Sequence, residues 1–168
     1  TNYTWKDMGK LHGNNLSLMA KESLPTILSY LTNIPTDAMS KKIISTLKVW
    51  NYYADANSEA PTFFYKLADE IQNATYDELS DKNVSYRMPE PYNTANLLVN
   101  DPTFILFDVL STDTIETAKE VVNIAFKNTV AFFTELTKPS INMSAKQNEI
   151  ETTKKKDALV WQHYKNTS

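Results

Sequence analysis

Cysteine is missing from this chain of 168 residues. Its absence excludes disulfides, thiolate nucleophiles and sulfur-ligated zinc, but it fixes no compartment, since exported proteins can also lack cysteine. Glycine is nearly missing as well, because only Gly9 and Gly13 are present. Two glycines with 42% apolar residues are untypical of a barrel or sandwich full of tight turns. The composition favours one helical domain, over residues 1–168, with a single core.

The chain also lacks long hydrophobic runs and an excess of positive charge. No apolar run approaches the ~20 residues of a membrane-spanning helix, and the first residues show no signal-peptide pattern. Seventeen basic residues against twenty acidic ones give a net charge of −3, without a basic stripe that would follow a phosphate backbone. We therefore expect neither nucleic acid nor a membrane among the partners.

The longest helical pattern free of proline and glycine covers residues 111–136. At 100° per residue its apolar positions span about half of the circumference, and Glu116, Glu120, Asn123, Lys127 and Thr134 oppose them. This pattern predicts one long central helix, at about residues 112–137. Thr112 or Thr114 is expected to cap the start of this helix. Asp113 and Glu116 are the acidic residues expected in its first turn, where the helix dipole favours negative charge. The expected buried face is Ile115, Ala118, Val122, Ala125, Phe126, Thr129, Phe132, Phe133 and Leu136.

Shorter periodic segments come before this helix. Residues Thr4 to Asp7 form a capping-box pattern for a first helix that ends near Gly13. Three further helices are predicted at 18–33 with Pro25 inside, at 36–50 capped by Thr36, and at 58–71 with Pro61 in its first turn. The last two should pair as an antiparallel hairpin with Trp50 buried between them. The predicted fold class is therefore all-α, with antiparallel helix hairpins packed on the central helix.

The pattern is weaker elsewhere in the chain. Residues 76–93 predict a surface loop after one helical turn, and 94–100 a short helix. The apolar run Phe104 to Phe107 fits either a segment buried on all sides or a short strand. Beyond Pro139 the sequence turns polar and predicts exposed helix or loop.

Thr1 is the most tempting candidate for catalysis, since an N-terminal threonine can act as a nucleophile with its own α-amine as base. Such nucleophiles begin a strand that leads into a layered sheet, whereas Thr1 is followed within a few residues by the helix cap at Thr4. We therefore interpret Thr1 as a residue exposed by a cut site.

The remaining polar residues give no clear site either. His12 and His163 lie in unrelated segments without a metal-spaced partner. Asp113, Glu116 and Glu120 resemble an acid–base pair or a metal site. Their predicted place in the first turns of a helix offers a simpler explanation, because the helix dipole stabilises negative charge there. The predicted solvent-exposed charges are Asp77, Glu78, Asp81, Lys154, Lys155 and Lys156. The glycosylation sequons at Asn2, Asn15, Asn73, Asn83, Asn142 and Asn166 follow from an Asn/Thr-rich composition.

Three stretches, taken in order, resemble the penicillin acylase (penicillin amidase) family of N-terminal nucleophile hydrolases. The first is Leu47-Lys48-Val49-Trp50-Asn51-Tyr52, followed by Ser58, Ala60 and Phe64-Tyr65. The second is Phe107-Asp108 with Thr112 and Glu116-Thr117, and the third is Trp161-x-x-Tyr164-Lys165-Asn166-Thr167. The opening Asp7-Met8 to Leu11-His12-x-Asn14 is also similar to a family segment, with His12 and Asn14 replacing its Gln and Asp.

This resemblance implies a helical segment of the β-subunit region, excised from a larger, self-processed and exported hydrolase that cleaves linear amide C–N bonds. The family's nucleophilic serine, oxyanion asparagine and calcium ligands belong to segments without a match here. The resemblance therefore assigns no catalytic, cofactor-binding or metal-ligating residue to this chain. It implies that the partners are the remainder of the parent chain and, for the parent, a small amide substrate.

Two functions from different classes stay open at this point. The first is a structural segment of such an amidase, itself inactive, and the second is a free-standing helical interaction or ligand-binding module. The apolar half-circumference of the central helix favours the first, because the polar segment from Lys146 to Asp157 has little to cover it. We expect an exposed apolar patch that the catalytic body of the parent covers.

Overall fold

A computed structural model describes residues 4–32, 34–80, 88–110 and 112–138 of the chain. These residues form six α-helices and two 3₁₀ turns and contain no strand, which confirms the all-α class for the described part. The helices are α1 (Trp5–His12), α2 (Leu18–Tyr30), α3 (Ala38–Lys48), α4 (Ala60–Thr75), α5 (Pro91–Asn100) and α6 (Ala118–Leu136), and the 3₁₀ turns are Asp77–Ser80 and Ile105–Phe107. Within the same ranges, no helix is long and apolar enough to span a membrane.

The core is centred on the antiparallel pair α4 and α6. The ring of Phe63, in the first turn of α4, meets that of Phe133, near the end of α6, edge to face at 4.9 Å. At the other end, the Asp77 carboxylate after α4 accepts a hydrogen bond from the Leu110 backbone before α6. Helices α2 and α3 also contact α6, while α5 packs on α2 and α4. The largest fully buried side chains are Leu24, Ile27, Ile43, Leu47, Phe63, Phe64, Leu67, Ile71, Leu98, Phe107, Phe126 and Phe133.

Helix α6 begins at Ala118, so the predicted start near residue 112 is wrong. Its cap is Thr117, in a capping box with Glu120, and neither Thr112 nor Thr114 caps it. Ile115 lies before the helix and is 87% exposed, although the pattern predicted it to be buried. The apolar periodicity extends through residues 112–117 although they are not helical. The Thr112 and Thr114 hydroxyls donate to the Glu116 carboxylate instead of capping a helix.

The buried face of α6 agrees with the predicted face at most positions. Ala118, Val122, Ala125, Phe126, Thr129 and Phe133 are buried. Val121 and Val130 are buried as well, although the predicted face omitted them. Phe132 is 44% exposed, and the ammonium group of Lys66 lies 4.5 Å from the centre of its ring. The ammonium group thus lies over the ring of Phe132, which is not buried in the core.

Several other predicted boundaries move by a few residues. The cap of α3 is Asp37, not Thr36, and its carboxylate accepts from the Ser40 backbone N–H at 2.9 Å. Helix α5 begins at Pro91 rather than Thr94, since a proline at the first helical position loses no hydrogen bond. In the run 104–107, residues Ile105–Phe107 form a 3₁₀ turn with Ile105 exposed, so neither burial on all sides nor a strand is correct.

The link between α3 and α4 is pinned to the link between α1 and α2. Tyr53 forms an isolated antiparallel bridge with Leu16. Tyr52 has φ of 67°, a left-handed conformation that is costly for an aromatic residue. Trp50 lies just after α3 rather than inside it, but it is buried as predicted and its ring contacts that of Phe64 at 5.6 Å.

Asn123 fastens α6 to the end of α2. Its side-chain amide donates to the Tyr30 carbonyl at 2.8 Å, and its carbonyl oxygen accepts from the Thr32 backbone N–H at 3.0 Å. The two bonds satisfy backbone groups that the end of α2 leaves without a helical partner. Asn123 was predicted on the solvent side of α6, and the structure places it half-buried at this junction.

Candidate functional site

The residues with potential for catalysis are not brought together in the described structure. Thr1, His163 and the lysines at 154–156 lie outside the described residues. His12 is the last residue of α1, and its side chain is outside the description. Among the described residues, no group of three or more His, Cys, Asp or Glu side chains is placed to hold a metal ion. That this chain contributes no catalytic or metal-binding residue stays a prediction.

The most heavily bonded carboxylate is Glu116, in the segment between the second 3₁₀ turn and α6. We call residues 105–110 and 112–117 the Glu116 loop. The Glu116 side chain is 7% exposed, and one oxygen accepts from the Val109 backbone N–H at 3.0 Å. The other oxygen accepts from the Thr112 and Thr114 hydroxyls at 2.6 and 3.0 Å. A predicted solvent-facing first-turn acid is therefore the buried centre of a loop.

These donors set the protonation of Glu116. The Thr112 hydroxyl, followed by the Val109 backbone N–H, holds the pKa of the Glu116 carboxyl below its usual range. Hydrogen bonds to a carboxylate favour the charged form because protonation would remove acceptor capacity. A carboxylate with a lowered pKa and three donors is a weak base, so its geometry suits a structural role better than proton transfer.

Two more contacts close the loop onto the helical body. Asp77 accepts from the Leu110 backbone N–H at 3.0 Å, and the Ala118 backbone N–H donates to the Pro102 carbonyl at 2.9 Å. Phe107 contributes an apolar anchor with no exposed surface. Asp77 was predicted as part of a solvated face, and instead it is half-buried in this contact. Glu78 and Asp81 belong to the same prediction, but the Glu78 side chain and all of Asp81 lie outside the description.

Glu120 has a different local role. It accepts a hydrogen bond from the Thr117 hydroxyl and another from the Thr117 backbone N–H, which completes the capping box of α6. The Thr117 hydroxyl is the main cause of a lowered pKa at the Glu120 carboxyl. Glu116 and Glu120 therefore accept hydrogen bonds from separate sets of donors. Asp113 is exposed in the same loop.

A second feature is an open cleft of about 330 Å³ between α2 and α5. Met19, Ala95 and Val99 supply apolar surface, and the Tyr92 hydroxyl donates to the Glu22 carboxylate at 2.5 Å on the rim. This hydrogen bond is the main cause of a raised pKa at the Tyr92 hydroxyl. The volume of this open cleft is at the lower end of the range for small-molecule sites, roughly 300–1,000 Å³.

Sequence reasoning missed the roles of Glu116, Asn123 and the Thr117 cap. The sequence Thr117-Ala118-Lys119-Glu120 has the spacing of a capping box, so this signal was available. The bonds of Asn123 join residues 91 and 93 positions apart, which only the tertiary structure brings together. The bonds of Glu116 span two, four and seven residues, but no familiar capping pattern marks them.

The Glu116 loop coincides with the second stretch of the family resemblance. Phe107 is its apolar anchor, Thr112 donates to Glu116, and Thr117 caps the helix that follows. The residues that carry the resemblance in this stretch therefore also stabilise the loop or the start of α6.

Comparison with known proteins gave one finding and two absences. The sequence model of the family described as penicillin amidase matches residues 1–165. No curated protein and no solved structure matched the chain significantly. Because the match covers nearly the whole chain, the chain belongs to the penicillin amidase family.

Proposed function

We propose that this chain is a helical structural segment of an amidase that hydrolyses linear amide C–N bonds. The observation that carries the proposal is the family match over residues 1–165. In this proposal the nucleophile is an N-terminal serine in a segment outside residues 1–168, and the segment described here supports the catalytic body. Export to the periplasm, self-processing and calcium elsewhere in the parent belong to the same proposal.

The described geometry supports a structural role. Among the described residues, the carboxylate with the most donors is Glu116, and its hydrogen bonds from the Val109 backbone N–H and the Thr112 and Thr114 hydroxyls favour its charged form. Acyl transfer needs preorganised donors aimed at a developing oxyanion. In the Glu116 loop, the Val109 backbone N–H donates to Glu116 and the Leu110 backbone N–H donates to Asp77.

The test compares the full-length gene product with the 168-residue chain. We expect the full-length protein to release a chromogenic amine from a phenylacetyl amide, and replacement of its processed N-terminal serine by alanine to abolish turnover. An acyl-homoserine lactone is a second substrate to assay. We expect the 168-residue chain to be inactive with either Thr1 or Thr1→Ala.

Turnover by the 168-residue chain that is lost on Thr1→Ala would overturn the proposal. A full-length gene product that carries no processed serine would also contradict it.

The cleft between α2 and α5 favours a second candidate function, a helical ligand-binding module without catalysis. It would present the Glu22 carboxylate next to apolar surface from Met19, Ala95 and Val99. Binding of a small apolar amine to the wild-type chain, lost in Glu22→Gln, would support this second function. If the full-length gene product also failed to hydrolyse the amide, the ligand-binding function would be favoured over the amidase.

A further inference from the structure

The cleft between α2 and α5 has a single charged side chain among its described lining residues, the carboxylate of Glu22. The other polar residues of the lining are neutral, and they are Ser23, Tyr92, Asn96 and Asn100. No lysine or arginine among the described lining residues offsets the charge of Glu22. The cleft is therefore electrostatically selective for a cationic ligand over an anionic one.

Glu22 has one oxygen held by the protein and one left for a ligand. The Tyr92 hydroxyl donates to Oε2 at 2.5 Å, and among the described residues it is the only donor to this carboxylate. The hydrogen bond fixes the orientation of Glu22, which is exposed. Because an ionised acceptor makes short and strong hydrogen bonds with N–H donors of a cation, Oε1 is suited to an ammonium group.

Apolar surface lies beside this carboxylate. Met19, Ala95 and Val99 line the same cleft, and Val99 is 39% exposed. Ser23 is 1% exposed, and its hydroxyl donates its proton to the Met19 carbonyl at 2.7 Å. An apolar group can therefore pack in the cleft without covering a free hydroxyl donor of Ser23.

Two hydrogen bonds join the walls of the cleft. Glu22 and Tyr92 connect the first half of α2 to the first turn of α5. Near the ends of the same two helices, the Tyr30 hydroxyl donates to the Leu98 carbonyl at 3.1 Å. Walls that are joined at two places lose little further freedom when a ligand binds, so the cleft is preorganised.

The charge of Glu22 distinguishes the two products of an amidase. Hydrolysis adds water across the C–N bond of a linear amide and gives a carboxylic acid and an amine. At neutral pH the acid loses its proton, since carboxyl groups have a pKa of about 4, and a primary aliphatic amine binds one, since its pKa is about 10. Of the two products, only the ammonium ion is complementary to the cleft.

We propose that the cleft between α2 and α5 binds the amine product of the amidase, a primary aliphatic ammonium ion on a small apolar body, and not the carboxylate product. This proposal rests on the proposed function, which supplies the two products. The ammonium group pairs with Glu22, and the apolar body lies against Met19, Ala95 and Val99.

A titration with matched ligands tests the charge, the apolar body and the location together. The probe is phenethylamine, added at neutral pH to the isotope-labelled 168-residue chain, and amide chemical shifts report the residues that respond. Phenethyl alcohol removes the charge, ethylamine removes the ring, and phenylacetate reverses the charge. Glu22→Gln is the test variant. Glu90→Gln is its control, because it removes one negative charge just before α5 at a residue outside the cleft lining.

We expect saturable shifts for phenethylamine at residues of the cleft, and weaker binding of ethylamine and phenethyl alcohol. Phenylacetate should give no saturable shift there. Glu22→Gln should raise the Kd for phenethylamine by at least about tenfold, since a charge-assisted hydrogen bond is lost. Glu90→Gln should leave the Kd within about twofold, because exposed charges that do not contact the ligand contribute little.

Equal binding of phenethylamine and phenylacetate overturns the proposal, and so does an unchanged Kd in Glu22→Gln. Saturable shifts confined to residues outside the cleft overturn it as well. If binding fails in these ways while the full-length gene product hydrolyses the amide, the proposed function stands alone. Binding as expected in a gene product that hydrolyses no amide overturns the assignment of the ligand as a product, and it supports the ligand-binding module instead.

Discussion

The carboxylate of Glu116 accepts a hydrogen bond from the backbone N–H of Val109, seven residues earlier in the chain, at 3.0 Å. This bond turns the approach to α6 into a closed loop. It also explains why the helix begins at Ala118, because the threonines that were expected to cap it are donors to Glu116. The hydrogen bonds of one buried side chain thus account for the start of the longest helix.

The first prediction concerns the pH dependence that Glu116 contributes. Its folded-state pKa is lowered, chiefly by the Thr112 hydroxyl, so its stabilising effect is fully present above the ordinary value of 4.5 and is lost as pH falls through the folded value. Glu116→Gln should therefore lower the melting temperature most near neutral pH. The difference from wild type should narrow at pH values below about 4.

Thermal unfolding followed by circular dichroism between pH 7 and pH 3 measures this effect. Asp113→Asn is the matched control, since Asp113 is an exposed carboxylate of the same loop. A melting-temperature difference for Glu116→Gln that is constant with pH would show that the charge of Glu116 plays no part.

The second prediction concerns Trp50, which is 7% exposed and donates from Nε1 to the Tyr53 carbonyl at 2.8 Å. Trp50→Ala should reduce the free energy of unfolding by about 3–5 kcal/mol, because it removes a large buried ring and leaves a cavity. That is a large share of a typical stability of about 5–15 kcal/mol. Chemical denaturation measures the change, and exposed Val49→Ala should stay within about 0.5 kcal/mol of wild type. A loss below about 1 kcal/mol for Trp50→Ala would contradict the packing described here.

The third prediction concerns the junction of α2 and α6. Asn123→Ala removes the bonds to the Tyr30 carbonyl and the Thr32 N–H, so it should cost about 1–3 kcal/mol at roughly 0.5–1.5 kcal/mol for each bond. Asn128→Ala, at an exposed position of the same helix, is the control for helix propensity. Hydrogen exchange at the end of α2 should accelerate in Asn123→Ala only. Equal stability of the two variants would show that the junction contributes nothing.

The fourth prediction concerns the observed cap of α6, Thr117. Thr117→Ala removes the hydroxyl of the capping box and should cost about 0.5–2 kcal/mol. Thr134→Ala, on the exposed side of α6, should be close to neutral or slightly stabilising, since alanine has the higher helix propensity. Urea denaturation of both variants provides the comparison. If Thr134→Ala cost as much as Thr117→Ala, the position of the cap would have no energetic weight.

Local chemistry determined much of this protein from the sequence alone. The scarcity of glycine and the apolar period gave the all-α class and the presence of the main helices, because both depend on residues close together in the chain. The Thr4 and Asp7 capping box was predicted and is present, with the Asp7 carboxylate 2.9 Å from the Thr4 backbone N–H. The order of three short stretches was enough to indicate the family.

Tertiary structure alone decided where the pattern stops being helical. Ile115 and Ala118 fit one helical stripe equally well, yet the first is 87% exposed and the second is buried. The difference arises because Glu116 finds Val109 and two threonines as donors, and those bonds are available only when the loop folds back on itself. Likewise, Asn123 has a polar side chain that suits solvent, and only the approach of α2 offers it a better set of partners. Periodicity sums local preferences, whereas a buried polar side chain is placed by the requirement that its hydrogen bonds be satisfied across the fold.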